Sequence, residues 1–193
     1  DILLGPCALW GREIDLFNTA EIARLREIMQ LSTVYFFHPN ATHTRRDHTV
    51  GVVNLVKSFM SSLPVTQSIP VEDHFPLVAA ALLHDIGHSA WSHVGEIFTQ
   101  MRPDVGGIRH EQLSADLVAG ETKFDKYFDK WDLPRVRDVI TDETERRIIE
   151  ELIQGRAPVA DPNLDEDARR KAIKDRAYLG NIIRGPVCFD LAE

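Results

Sequence analysis

His84 and Asp85 close an apolar run that extends from Leu77 to Leu83, and His88 and His93 come shortly after, in the stretch "ALLHDIGHSAWSH". Three of the chain's eight histidines therefore stand beside one aspartate at the end of a greasy segment. Burying imidazole and carboxylate is costly unless each is hydrogen-bonded, paired or bound to a metal. A single such pair is more often a hydrogen-bonded feature of the core, so the neighbouring segments decide. On a helix His84 and Asp85 diverge by about 100°, yet both reach one ion placed beyond the helix end. Their mixed nitrogen and oxygen donors suit Fe, Mn, Co, Ni, Zn or, less well, Mg. Two ligands are too few, and His48, after "HTRRD", and Asp190, after "VCF", are candidates for the remainder. An ion held from three segments would tie a bundle together and keep positions open for water or phosphate oxygen.

The elements that must position these groups read as helices. "NTAEIARLREIMQL" has cap candidates in Asn18 and Thr19, with Ile22, Leu25, Ile28 and Leu31 at helical spacing. "STVYFFHP" is β-branched, aromatic and short, and is expected to be an extended link. "RRDHTVGVVNLVKSFMSSL" resumes the helical period through Val50, Val53, Leu55, Val56 and Phe59. "PVTQSIPVEDHFP", with its prolines, reads as a loop, and "LVAAALLHDIGH" as a buried central helix yielding near Gly87. "SAWSHVGEIFTQM", "RHEQLSADLVAG", "DLPRVRDVI" and "TDETERRIIEELIQG" come next as helices, with Gly120 and Gly155 as stop signals. "APVADPNLDEDARRK" reads as a polar insertion before a last amphipathic helix, "AIKDRAYLGNIIRG". The class is all-α, and residues 1–193 are expected to form a single domain. Opening on Asp1 and stopping at "FDLAE", the chain is expected to be an excerpt of a longer protein.

Composition narrows the partners. With 44% hydrophobic and 27% charged residues the chain is an ordinary globular sequence, and its net charge of −8 argues against a nucleic-acid or membrane surface. No apolar run approaches the roughly 18 residues of a membrane span, and no signal-peptide pattern opens the chain. Cys7 and Cys188 form no CxxC motif, which fits a reducing, cytoplasmic setting without a disulfide framework. Apolar residues in "NLVKSFM" and "FDKYFDKW" could serve a homo-oligomer contact or simply the core.

Four blocks in order, "IARLREIMQL", "FHPNATHTRRDHTVGV", "HDIGHSAWSH" and "RHE", resemble the HD-domain phosphohydrolase superfamily. More narrowly they are similar to the deoxynucleoside triphosphate triphosphohydrolases. That group carries "F-x-R-L-x-x-I-x-Q-L", "H-x-R-F-x-H-S-x-G-V", "H-D-x-G-H-x-P-F-S-H" and a later "H-E". The similarity runs from about Ile14 to Gly120 and returns at "NIIRGPVCFDLAE". It implies an HD-domain helical bundle with a divalent metal at its centre, held by His48, His84, Asp85 and Asp190. It places Arg45 against substrate phosphate, as suits a bidentate guanidinium, and Gln30 and Leu31 at the sugar. His88, His93 and His110 match further active-site histidines, and Glu96 a carboxylate. His93, oriented by Glu96, would protonate the departing oxygen, while His88 and His110 would stabilise phosphoryl charge. Arg46, where the group has Phe, is expected to be structural or solvated, His43 structural, and His38 and His74 loop residues.

The implied activity is metal-dependent hydrolysis of a nucleotide, releasing tripolyphosphate from a deoxynucleoside triphosphate. Three departures bear on substrate: Leu191 replaces a phosphate-gripping lysine, Cys188 an aspartate, and "AWSH" stands for "PFSH". A 5′-nucleotidase or phosphatase acting on a monophosphate or modified nucleotide is the alternative. A di-iron oxygenase and a non-catalytic nucleotide-binding module stand behind it.

Overall fold

The structure, a computed structural model, describes residues 6–63, 69–102, 104, 107, 109–120, 125–159, 163–171, 179 and 182. Among these the chain is helical, and the only strand-like pairing is an isolated bridge between Met29 and Thr44. The helices include α1 (Arg12–Phe17), α2 (Ala20–Arg24), α3 (Arg45–Ser62), α4 (Val71–Leu83), α5 (Ser92–Gln100), α6 (His110–Ala119), α7 (Asp125–Phe128), α8 (Val136–Val139) and α9 (Glu143–Ile153).

Helix α4 forms the centre because its sequence leaves no polar face: every residue from Pro76 to Leu83 is buried. It packs against α3, α9 and α1. A fully buried aliphatic side chain contributes about 1.5–3 kcal/mol, so this run anchors the fold. Helix α3 starts with a reciprocal cap: Thr44 Oγ1 accepts from the Asp47 N–H, and Asp47 accepts from the Thr44 N–H. The cap fixes the first turn, from which Arg45, His48, Val52 and Val56 all face inward at helical spacing. Helix α9 is amphipathic, burying Ile148, Ile149, Leu152 and Ile153, and it packs on both α4 and α6. Helix α6 ends on Gly120, whose left-handed φ of 74° closes the last turn.

Four sequence expectations are corrected. The helix expected to run to Leu31 ends at Arg24 and tightens into a 3-10 turn over Leu25–Glu27. The chain then extends at Ile28, whose carbonyl accepts the Arg45 N–H, so Leu31 emerges half-exposed rather than on a core-facing stripe. "STVYFFHP" holds a 3-10 turn at Val34–Phe36, because β-branched residues without a partner strand gain nothing from extension. Pro70, Glu72 and Asp73 start α4 well before the apolar run, which takes Pro76 and His74 into the helix. Only one internal hydrogen bond is forgone at Pro76, and its burial offsets that loss. Residues 166–171 of the expected polar insertion are helical.

Candidate metal centre and its surroundings

The helix-to-turn junction at the end of α4 sets the site. His84 caps the helix and Asp85 to Gly87 form a tight turn, closed by the His88 N–H on the Asp85 carbonyl at 3.1 Å. Ser114 of α6 staples this turn: its Oγ donates to the His84 carbonyl at 2.7 Å and accepts from the Gly87 N–H at 2.8 Å. Gly87 is required by the close approach. A Cβ there would lie 2.3 Å from the His110 carbonyl oxygen and 2.6 Å from the Ser114 nitrogen, both backbone atoms. Gly87→Ala should therefore destabilise the fold by about 3 kcal/mol, the upper end for overpacking, as read from a denaturant midpoint. An unchanged midpoint would show that the turn and α6 can separate freely.

His48, His84 and Asp85 are all buried and offer donor atoms within 4.8 Å of one another. His84 Nδ1 lies 2.8 Å from the Ala81 carbonyl, which only accepts, so Nδ1 carries the proton and Nε2 the lone pair. That lone pair lies 3.5 Å from Asp85 Oδ1, and His48 Nε2 lies 3.7 Å from Oδ2. The His84 lone pair facing a carboxylate oxygen in a dry interior calls for a cation between them, and the chemistry of the His48, His84 and Asp85 set fits a divalent ion. Asp190, the fourth expected ligand, lies outside the described residues.

Asp85 also faces Arg45, whose guanidinium is 1% exposed. Arg45 Nη1 donates to Asp85 Oδ2, while Nε, at 2.8 Å, and Nη2 donate to Ser92 Oγ. Ser92 Oγ in turn donates to the Gln30 carbonyl at 3.0 Å. Burial alone would push the Asp85 carboxyl up, but His84, His88 and Arg45 hold it well below the usual carboxylate range.

A second group adjoins the first through Asp85. His88, His93, Glu96 and His110 also bring donor atoms within 4.8 Å of one another. His88 Nε2 is 3.3 Å and His110 Nε2 3.9 Å from Asp85 Oδ1. Glu96 accepts from the His110 backbone N–H at 3.0 Å and lies 3.2 Å from its Nδ1 and 3.3 Å from His93 Nδ1. Burial would raise Glu96, but these contacts outweigh it and lower the carboxyl to about 2, while burial lowers His88 to about 4 and also depresses His110. His88 and His110 stack at 3.8 Å with only 17° between ring planes. Stacked in this way, both rings turn Nε2 toward Asp85 Oδ1. Either group has the donor atoms to hold an ion, and the imidazoles and carboxylate of the second can also move a proton.

Beside the second group opens a cavity of about 430 Å³, lined by Arg24, Ile28, His88, His110, Leu117 and Phe128 among others. Arg24 donates from both terminal nitrogens to the His88 carbonyl, at 2.9 Å from Nη1, and burial lowers its pKa. The expected sugar-side Gln30 keeps a buried amide oxygen without a hydrogen-bond partner. Arg46 packs structurally, stacking on the Phe17 ring at 3.9 Å, and His38 and His43 are exposed and lie outside both groups. Sequence reasoning missed Arg24, Ser92 and Ser114. Arg24 stands within "IARLREIMQL" and Ser92 within "AWSH", but only contacts across the fold distinguish them from solvated residues.

Residues 45–178 match the HD domain family, a span that contains every member of both groups. The chain belongs to the HD-domain family. HD domains are in general metal-dependent hydrolases that bind divalent ions, and this HD domain has His and Asp groups that could coordinate one. The deoxynucleoside triphosphate triphosphohydrolase SAMHD1 homolog of Dictyostelium discoideum is 26% identical over 197 residues, covering 97% of this chain and 37% of its own. The human deoxynucleoside triphosphate triphosphohydrolase SAMHD1 is 34% identical over 119 residues, 59% of this chain and 19% of its own. An uncharacterized protein of Bacillus subtilis, YwfO, is 34% identical over 119 residues, 60% of this chain and 25% of its own. The chain thus spans 19–37% of the length of these curated relatives. The crystal structure of a hypothetical protein from Aquifex aeolicus shares the fold with a TM-score of 0.66 at 22% identity, covering 99% of this chain and 42% of that one. No helix among the described residues is long and apolar enough to cross a membrane.

Proposed function

We propose that this HD domain is the catalytic part of a nucleotide phosphohydrolase that cleaves deoxynucleoside triphosphates to deoxynucleoside and tripolyphosphate. The observation that carries the proposal is Asp85, which joins a buried His48–His84 donor set to a histidine–carboxylate group beside a cavity. The relatives named as deoxynucleoside triphosphate triphosphohydrolases support the substrate class.

His48, His84 and Asp85 would hold the divalent ion, with Asp190 completing the set. When bound, the ion would supply a lowered water pKa and charge neutralisation at phosphate. Arg45 keeps the Asp85 carboxylate ionised and has N–H groups left for a phosphate oxygen. His88 and His110 would present their ring edges to the phosphoryl group, and His93, held by Glu96, would deliver a proton to the departing sugar oxygen. Gln30, with its unsatisfied amide oxygen, would accept from a sugar hydroxyl beside Leu31. Residues 1–193 would act as one HD domain.

Leu191, in place of a lysine, favours a second reading: a 5′-nucleotidase or phosphatase on a monophosphate, which demands fewer cations. Metal analysis, then a panel of ribo- and deoxynucleotides with one, two or three phosphates, separates the two. The expected outcome is one divalent ion per chain and tripolyphosphate from deoxynucleoside triphosphates. Orthophosphate from monophosphates alone would move the assignment to the second reading. Bound metal without turnover on the whole panel would leave a nucleotide-binding module.

A further inference from the structure

Ser92 begins α5 in the left-handed region, with φ of 54°, a conformation that favours glycine. It is 1% exposed, and its hydroxyl serves three groups at once. Arg45 Nε and Nη2 both donate to it, and it donates to the Gln30 carbonyl. The chain of contacts is continuous from the Gln30 segment through Ser92 and Arg45 to the Asp85 carboxylate. A strained residue in a buried site persists only where its surroundings over-determine it, and such strain concentrates where geometry matters. A helix start by itself needs no buried serine in this conformation. Glycine would adopt the backbone at less cost but could not hold the guanidinium.

We propose that Ser92 is a positioning residue, which fixes the Arg45 guanidinium between the metal-site carboxylate and the Gln30 segment. Arg45 has a long side chain with several rotamers, and one contact to Asp85 leaves it free to swing about that contact. Two further donors converging on one hydroxyl remove that freedom. Because the same hydroxyl holds the Gln30 backbone, the segment expected to meet the sugar and the cation expected to meet phosphate are set in one frame. Ser92 touches neither substrate nor metal in this role; it acts through Arg45. The kinetic consequence rests on the nucleotide hydrolysis proposed above, whereas the structural consequence does not.

Two measurements keep these apart. In the metal-loaded protein, the Arg45 Nε–H is buried and bonded, so its ¹⁵N-resolved proton signal should exchange slowly with water. In Ser92→Ala that signal should move and its exchange accelerate by at least about tenfold, while Arg135 Nε–H, buried on Glu21 at 2.7 Å, stays unchanged as the internal reference. An unaltered Arg45 signal in Ser92→Ala would overturn the proposal whether or not the protein hydrolyses any nucleotide. The kinetic arm uses Ser92→Gly, which relieves the backbone strain while deleting the hydroxyl. It should keep its metal and its melting temperature within a few degrees, yet lose about tenfold or more in kcat/KM on whichever nucleotide the wild type hydrolyses. A purely structural serine would instead show activity that tracks stability, and unchanged kcat/KM in Ser92→Gly would overturn the positioning role. A wild type that hydrolyses nothing on the panel would end the hydrolase assignment and leave the Arg45 signal to decide the role of Ser92.

Discussion

Asp85→Ala should remove bound metal and hydrolysis together. The expected metal content falls from about one ion per chain to below about one tenth, and turnover drops by at least about 10³-fold. The reason is that Asp85 belongs to every part of the centre: Oδ1 faces His84, His88 and His110, and Oδ2 faces His48 and Arg45. Without the carboxylate, two imidazoles remain from the described set, too few to hold a divalent ion against water. The substitution should also cost stability, because the Arg45 cation stays buried without its counter-charge. Breaking a buried pair from one side typically costs about 3–5 kcal/mol. Adding back a divalent ion should stabilise the wild type by linkage and leave the variant unmoved, since ligand binding raises stability only where a site exists. Elemental analysis, a denaturant midpoint with and without ion, and product formation give three independent readings. A folded Asp85→Ala protein retaining a full equivalent of metal would place the ion somewhere other than the His48–His84–Asp85 set.

The centre was legible in sequence to the extent that its chemistry is carried by residue type. His and Asp at the end of an all-apolar run announce themselves, because no ordinary core accepts them without compensation. The helices that position them were legible for the same reason. The apolar residues of α3 repeat at the helical period, α4 is apolar all round, and the Gly120 stop marks an end that local chemistry dictates. The features that sequence could not reveal depend on contacts between distant segments. Ser114 becomes part of the site only because Gly87 admits the backbone of α6 to within contact distance. Arg24 and Ser92 look like helix-surface residues until the fold lays them on the His88 carbonyl and the Arg45 guanidinium. The failures of local reading have the same origin. Pro76 is read as a loop residue because proline disfavours helix interiors, yet burial in the core of α4 outweighs one lost hydrogen bond. Leu31 continues a helical stripe in sequence, but the chain leaves the helix at Ile28 to meet α3, so the stripe has no surface to cover.

His93→Ala should separate proton transfer from metal binding. His93 is absent from the His48, His84 and Asp85 set, and its side chain is 60% exposed, so its removal should leave metal content and stability near wild type. Its Nδ1 lies 3.3 Å from Glu96 Oε2, which orients the ring and leaves Nε2 as the nitrogen to carry a proton to the substrate. Glu96, held near a pKa of about 2, is ionised throughout the working range and can stabilise the imidazolium that the acid role requires. His88 is a poorer candidate for the same task, since burial holds it near 4 and therefore neutral at pH 7. Loss of a general acid costs about 10²–10⁴-fold, and that is the expected fall in kcat for His93→Ala on a natural nucleotide. The discriminating measurement uses a substrate with sulfur in place of the bridging 5′ oxygen. A thiolate leaves without prior protonation, so the acid has nothing to contribute to that reaction. Wild type and His93→Ala should then differ by less than about tenfold, while the oxygen substrate keeps its full deficit. Equal losses on both substrates would mean that His93 binds phosphate instead, and would pass the proton-donor role to His110, the other imidazole that Glu96 holds.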